Sequence, residues 1–494
     1  ASGTYSQASI PVVVTFTDGY TLDDTTRIIT FNTATVTTAF EYGRTSSAPL
    51  VRAQARGTIT LQPGSNVVSA RICDRSGHCD TQYATYAFGV PGVSVTPDGH
   101  TASAQASSAS TQAFTVTNTG PAPAAFSLQA VCRQVALGLS LPMSATIPAP
   151  HAERFRSAEA SGRVAAEMAK TKGPKPSEIL TPASFRNAQV VMQAIGGSTN
   201  GLIHLTAIAN RSPHKIDLEA FDRLGREVPV LVDLKPSGEH YMEHFHHAGG
   251  VPKLMAQLGD LIDLDARTIT GQTLREVVAN AEDVPGQDAI RSKANPIKSE
   301  GAMAILHGNL APRGAVIKQS AASPKLLQHT GRAVVFESVE DMTLRVDDPA
   351  LDVTADDVLV LRNAGPKGAP GMPEAGYLPI PKKLARAGVK DMVRISDARM
   401  SGTAFGTIVL HITPESAVGG PLGLVRNGDM IRLDVAKRSI DLLVDEAELE
   451  KRRAALAPAG TPDWAKRGYA HLFNETILQA DEGCDFDFMS AKGK

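Results

Sequence analysis

Two glycine-rich strings contain residue types that act chemically on small polar molecules. Ser401 lies in RMSGT between Arg399 and Thr403, and Glu374 lies in GMPE. A serine hydroxyl removes a proton from carbon only where nearby cations favour its alkoxide. A carboxylate is the hard oxygen ligand that Mg²⁺ prefers. From composition alone, a turn serine and a solvated loop acid are the simpler interpretations.

A second group of polar residues follows two glycines in GGSTNGLIH. The string predicts a tight turn and then a helix start, whose free backbone N–H groups can hold an anionic group. An ordinary helix cap explains it equally well. His204 follows one turn later and either faces a substrate or is simply packed or exposed. The candidates for substrate binding are Ser198, Thr199, Asn200 and His204, together with Arg399 and Thr403.

A histidine-rich string, HYMEHFHH, resembles a metal-binding pair in the spacing of His240 and His244. Two imidazoles four residues apart on a helix lie on one face. The simpler prediction is that these histidines bind no metal.

The elements around these residues change type along the chain of 494 residues, which is longer than one hydrophobic core usually supports. Residues 1–135 read as short strands with frequent turns and predict an antiparallel β-sandwich. Residues 136–295 show helical periodicity at AERFRSAEASGRVAAEMAKT and TPASFRNAQVVMQAIG, where Thr181 or Ser184 can cap the second helix. Residues 296–494 return to short apolar strands and predict a β-barrel with C-terminal helices.

Composition excludes several classes of protein. With 49 basic and 51 acidic residues, the formal charge of −2 predicts no attraction to nucleic acid or to an anionic membrane. No apolar run is long enough to span a bilayer, and no signal peptide is visible at the N-terminus. The four cysteines are too few for a disulfide scaffold, although Cys73 and Cys79 are close enough in sequence to pair.

Several separate strings resemble the dihydroxy-acid/phosphogluconate dehydratase family from about Ala136 to the C-terminus. They are NAGPKGAPGMPEAGYLPIP, GGSTNGLIH, EGAMAILHGNLAPRGAVIK and the stretch from Asp391 to Val435. GMPE, the PIP segment and the terminal DEGCDFDF are more similar to sugar-acid dehydratases of the arabinonate or xylonate type. The branched-chain biosynthetic dihydroxy-acid dehydratase is the alternative within the family.

The resemblance implies a hydro-lyase that removes water from a 2,3-dihydroxy (aldonic) acid and leaves a 2-keto-3-deoxy acid. It implies an α/β domain, represented here in part, followed by a barrel like the swivelling domain of aconitase-type enzymes. It also implies Mg²⁺ and an iron–sulfur cluster, Ser401 as the base and Glu374 as a Mg²⁺ ligand. A cytoplasmic homodimer or larger homo-oligomer acting on a small sugar acid or dihydroxy acid is expected.

Other features lead away from a complete enzyme of this family. The first 135 residues loosely resemble bacterial Ig-like surface modules, which favours an extracellular origin for that part. None of Cys73, Cys79 and Cys132 has the family's setting for a cluster ligand, so no iron–sulfur ligand is identified. The sequence therefore predicts impaired activity, and a non-catalytic fusion of a surface module with a dehydratase remnant is the alternative.

Overall fold

The computed structural model divides the chain into two compact units, Ala1–Ala124 and Ala125–Lys494. Side chains are described within 134–148, 151–281, 283–369, 378–400, 405–456 and 462–491, with the exception of Trp464. Before residue 134 the structure describes the backbone of the strands and the buried side chain of Ile29.

Strands make up the described part of the first unit, in two sheets. One sheet has the order β10-β1-β5-β4 and the other the order β3-β2-β6-β7-β8-β9. The strands are β1 (Ala8–Asp18), β2 (Leu22–Phe31), β3 (Ala34–Thr35), β4 (Phe40–Ser46), β5 (Val51–Leu61), β6 (Gly64–Asp74), β7 (Cys79–Phe88), β8 (Val93–Pro97), β9 (Ala102–Ala104) and β10 (Gln112–Thr117). Cys73 and Cys79 stand opposite each other in the β6–β7 register. The sandwich and the Ig-like resemblance remain predictions, because the side chains that would pack the sheets lie outside the described residues.

Helices follow in the second unit, as predicted. They are α1 (Glu153–Thr171), α2 (Pro176–Ile179), α3 (Pro182–Ala194), α4 (Thr199–Asn210), α5 (Leu218–Glu227), α6 (Met242–His247), α7 (Gly250–Leu258) and α8 (Leu274–Ala279). Thr181 and Ser184 cap α3 reciprocally: Thr181 Oγ1 accepts from the Ser184 N–H, and Ser184 Oγ accepts from the Thr181 N–H. Extended structure in the described part of 136–295 consists of isolated bridges such as Val232 with Ile290.

An eight-stranded closed barrel follows the helices and confirms the predicted barrel. Its order is β11-β12-β16-β15-β14-β13-β17-β18. The strands are β11 (Ala304–Gly308), β12 (Ala311–Ile317), β13 (Gln328–Phe336), β14 (Val358–Leu361), β15 (Arg394–Ser396), β16 (Ile408–Thr413), β17 (Met430–Asp434) and β18 (Ser439–Leu442). Helices α9 (Val339–Arg345) and α10 (Lys382–Arg386) interrupt the strands, and α11 (Glu446–Ala455) and α12 (Gly468–Thr476) follow them.

Successive side chains of the barrel strands point alternately to two sides, and each side has its own apolar layer. On β14, Val358 and Val360 belong to one buried cluster, while Leu359 and Leu361 belong to another that includes Met342 of α9. Successive side chains of a strand point to opposite faces, so a strand covered on both sides reads as a continuous apolar run. The string VLVL therefore lies between the two layers.

Long-range polar contacts join the helices, the barrel and the C-terminal segment. Asp222 of α5 accepts hydrogen bonds from the Ile305 N–H of β11 and from the Arg438 guanidinium. In the C-terminal segment, Asp485 pairs with Arg211 after α4 at 2.6 Å, and Asp481 pairs with Arg313 of β12. Among the described residues, no helix is both long and apolar enough to cross a membrane.

Candidate functional site

The turn before α4 fixes the predicted binding string GGSTN in place. Gly196 has a φ of 69°, and a Cβ at Gly197 would lie 3.1 Å from the Met192 carbonyl oxygen. Ser198 then caps α4 by accepting a hydrogen bond of 3.3 Å from the Asn200 N–H. The predicted tight turn and helix start are both present.

This helix start lies against the segment that leads into Ser401. Asn200 Nδ2 donates a hydrogen bond of 3.2 Å to the carbonyl oxygen of Met400, the residue before Ser401. Thr199 Oγ1 lies 3.3 Å from His411 Nε2 on β16. Residues some 200 positions apart in sequence thus meet at the barrel. The N-terminus of α4 therefore lies against Met400 and β16.

The structure describes some of the predicted site residues and not others. Ser198, Thr199 and Asn200 are buried, Arg399 is half-buried and His204 is exposed. The positive charges of Arg399 and His204 are close enough to lower the pKa of His411, although burial of its ring is the larger cause. Ser401, Thr403 and Glu374 lie outside the described residues, so their roles and the predicted approach of Ser401 to Glu374 remain predictions.

Arg394 of β15 is hydrogen-bonded to the residues that directly follow the string containing Glu374 and the string containing Ser401. Its guanidinium donates to the Leu378 carbonyl at 3.2 Å and to the Phe405 carbonyl at 2.7 Å. Leu378 follows residues 370–377, and Phe405 follows residues 401–404. Asp391 lies 3.3 Å from the same guanidinium and also accepts from the Thr407 N–H. One buried ion pair therefore holds the chain just after both strings.

Two buried carboxyl groups fix the glycine-rich loop upstream of Glu374. Glu415 accepts hydrogen bonds from the Lys367 and Gly368 N–H groups and from Gln479 Nε2. Asp397 accepts from the Ala364 and Ser416 N–H groups. Burial raises the pKa of both carboxyls. The loop needs its glycine because a Cβ at Gly365 would lie 2.6 Å from Glu415 Oε2.

Sequence reasoning missed Lys318, which follows β12. Its Nζ is buried and has no hydrogen-bond partner in the described part of the chain, and burial lowers the pKa to about 7. The neighbouring Ser320 contacts Ser237 at 3.0 Å, and the Ala321 carbonyl accepts from the Gly406 N–H. The apolar string GAVIK gave no sign that the lysine at its end would be buried.

The described residues do not fit the iron–sulfur cluster that the resemblance implies. Among them, Cys484 carries a thiol that is not in a disulfide, and burial raises its pKa to about 12. A cluster needs several thiolates, whereas this thiol is held protonated. The buried carboxylates Asp397 and Glu415 accept bonds from backbone N–H groups and so do not form an open Mg²⁺ shell.

Two family models match the second unit. Residues 124–277 match the dihydroxy-acid/6-phosphogluconate dehydratase N-terminal domain, and residues 288–484 match the C-terminal domain of the same family. Both stretches of this chain belong to the dihydroxy-acid/6-phosphogluconate dehydratase family. The resemblance predicted from the sequence strings is confirmed for these residues, and the match begins before Ala136.

Individual relatives include dehydratases named for sugar acids and dehydratases named for dihydroxy acids. The chain is 49% identical over 365 residues to the L-arabonate dehydratase of Azospirillum brasilense, a match covering 72% of this chain and 62% of that protein. It is 46% identical over 356 residues to the L-arabinonate dehydratase of Rhizobium leguminosarum bv. trifolii, covering 72% and 61%. The dihydroxy-acid dehydratase of Methanothrix thermoacetophila is 45% identical over 357 residues, covering 71% and 64%. The chain thus spans about three fifths of the length of these relatives.

The buried imidazole of His411 predicts a specific acid sensitivity. Burial lowers its pKa from 6.5 to about 3, so between these values the unfolded chain binds more protons than the folded chain. The stability that depends on the neutral ring is complete above pH 6.5 and is lost as pH falls towards 3, at up to about 1.4 kcal/mol per pH unit. We expect urea unfolding of His411→Asn to show a shallower loss of stability between pH 6.5 and 4.5 than the unmodified chain.

Asparagine suits this position because His411 has a φ of 55°, a backbone conformation that asparagine tolerates. His471→Asn, at an exposed histidine on α12, is the control and should leave the pH dependence unchanged. Equal slopes for His411→Asn and the unmodified chain would contradict the assignment of a buried neutral ring.

Proposed function

We propose that the second unit is a sugar-acid hydro-lyase domain, which binds a 2,3-dihydroxy aldonic acid and promotes loss of water to a 2-keto-3-deoxy acid. The observation that carries this proposal is the contact of the α4 N-terminus with the Met400 carbonyl, one residue before Ser401. Relatives named for arabonate, arabinonate and sulfogluconate at 46–49% identity support a sugar acid over the branched-chain alternative.

The substrate is an anion, so its carboxylate needs positive partners. The α4 N-terminus contributes the partial positive charge of the helix dipole, and Arg399 is the nearby cation. His411 stays neutral at physiological pH and so adds no charge to this group. In the proposal, Thr199, Asn200 and Arg399 orient the acid while Ser401 removes the proton beside the carboxylate.

The described residues do not fit the Mg²⁺ ion or the iron–sulfur cluster that the family resemblance implies. The proposed reaction therefore uses neither group. Eliminating hydroxide without a Lewis acid is slow, since the leaving group is poor. We therefore propose that this chain binds aldonates but turns them over many powers of ten more slowly than a dehydratase that holds both groups.

Binding and turnover are measured separately to test these two statements. Isothermal titration with L-arabinonate, D-xylonate and 2,3-dihydroxyisovalerate should show binding of an aldonate. The affinity should fall at least tenfold in Arg399→Gln and be unchanged in Arg386→Gln, at an exposed arginine of α10. Absence of binding by all three acids would overturn the proposed function and favour the non-catalytic fusion.

Turnover is followed as 2-keto-3-deoxy acid formation after anaerobic cluster reconstitution, with Ser401→Ala as the control. Rapid turnover that Ser401→Ala abolishes would support the hydro-lyase assignment and refute the proposed impairment. Light scattering on the same preparation measures the oligomeric state, which we propose to be a homodimer or larger.

A further inference from the structure

Three donor side chains converge on the surface of the helical part of the second unit. They are His151, before α1, and Glu243 and His247, one turn apart on α6. Glu243 Oε1 lies 3.8 Å from His151 Nε2 and 3.9 Å from His247 Nε2. These distances are too long for hydrogen bonds between the groups, yet all three donor atoms lie within 4.8 Å of one another.

The spacing suits a bound transition-metal ion. Zinc takes imidazole nitrogen and carboxylate oxygen at about 2.0–2.2 Å, so tetrahedral donors lie roughly 3.3 Å apart. Closing the observed distances requires modest movements of the side chains, which the half-buried His151 and the exposed Glu243 and His247 allow. Two imidazoles and one carboxylate are a borderline donor set that favours Zn²⁺ over Mg²⁺ or Ca²⁺.

A buried contact holds the two halves of this cluster together. His246, beside His247 on α6, is hydrogen-bonded through Nδ1 to Thr146 Oγ1 at 2.9 Å and through Nε2 to Glu153 Oε2 at 3.2 Å. Thr146 and Glu153 lie on either side of His151 in sequence. His246 therefore fixes the segment containing His151 against α6, so the three donors are positioned by the fold and not only by flexible side chains.

A cavity of roughly 460 Å³ opens beside the cluster. His247 lines it together with His246 and Glu153, and its apolar wall includes Pro142, Ile147 and Val277. An ion held by three protein donors keeps a coordination position for water or a small ligand, as open zinc sites do. The cavity gives that position room to be occupied.

We propose that His151, Glu243 and His247 form a binding site for one Zn²⁺ or a similar transition-metal ion at the rim of this cavity. The site shares no residue with the proposed hydro-lyase site, and the proposal does not depend on that function. It also differs from the pair suggested by the sequence, which is His240 and His244. Those two rings contact each other at 3.2 Å, and His240 also lies 3.1 Å from Asp288.

The proposal is tested by measuring the Zn²⁺ affinity of the untagged full chain after EDTA treatment. A chromogenic chelator competes with the protein for the metal in this measurement. We expect one Zn²⁺ per chain with a micromolar or tighter Kd, and a rise in Tm when Zn²⁺ is added. His247→Ala and His151→Ala should each weaken binding at least tenfold and remove the Tm rise. Co²⁺ should give a visible absorption band that both variants lose.

Two control variants make the result specific. His471→Ala removes an exposed histidine of α12 and should leave the Kd unchanged. His240→Ala tests the alternative metal pair, His240 and His244. Binding that survives both His151→Ala and His247→Ala, or that His240→Ala abolishes, would overturn the proposal. Circular dichroism of each variant without metal verifies that the fold is retained.

Discussion

Lys318→Met is expected to stabilise the chain at pH 7 by on the order of 4 kcal/mol, with a gain that shrinks as pH rises towards 10. The amine is buried without a hydrogen-bond partner in the described residues, and burial lowers its pKa from 10.5 to about 7. Below pH 7 the folded chain must hold an unpaired charge away from water. A difference of one between the pKa values of the folded and unfolded chain corresponds to about 1.4 kcal/mol.

The direction of the pH effect follows from proton binding. Between pH 7 and 10.5 the unfolded chain binds more protons at this lysine than the folded chain, so stability rises with pH over that range. Methionine has a similar length and no charge, so the variant should lack this rise. Urea unfolding at pH 7, 8.5 and 10 measures the difference.

Lys325→Met is the matched control, because Lys325 is exposed and lies seven residues further along (325 minus 318). It should change stability by no more than a few tenths of a kcal/mol at any of the three pH values. A Lys318→Met chain that is no more stable than the unmodified chain at pH 7 would contradict the buried, unpaired amine.

Arg394→Met is expected to destabilise the chain by about 3–5 kcal/mol, the usual cost of breaking a buried ion pair on one side. The change removes the bonds to the Leu378 and Phe405 carbonyls and leaves Asp391 without its cation. The Thr407 and Ser323 N–H groups still donate to Asp391, so the lower part of the range is expected.

Hydrogen exchange separates a local effect from a general one. Because Arg394 holds the residues after 370–377 and after 401–404, amides of residues 405–407 should lose protection first in the variant. Arg386→Met, at an exposed arginine of α10, should leave both stability and exchange unchanged. A loss of stability below about 1 kcal/mol for Arg394→Met would show that the ion pair is dispensable.

The local sequence pattern was sufficient to predict the barrel strands, the α3 cap and the dehydratase family. The barrel strands were predictable because apolar runs such as VLVL depend on residues that are neighbours in sequence. The capping pair Thr181 and Ser184 and the turn at Gly196 were predictable for the same reason. The strings around Ser401 and Glu374 indicated the dehydratase family, and the matches at 124–277 and 288–484 confirm it.

Only the tertiary structure decided which distant residues meet. Asn200 bonds to the Met400 carbonyl, and Thr199 contacts His411, because α4 packs its N-terminus against the barrel. The histidine string drew attention to His240 and His244, whereas His151, from a different segment, meets Glu243 and His247. Burial likewise sets the protonation of Lys318, since desolvation depends on the packing of elements that no local string describes.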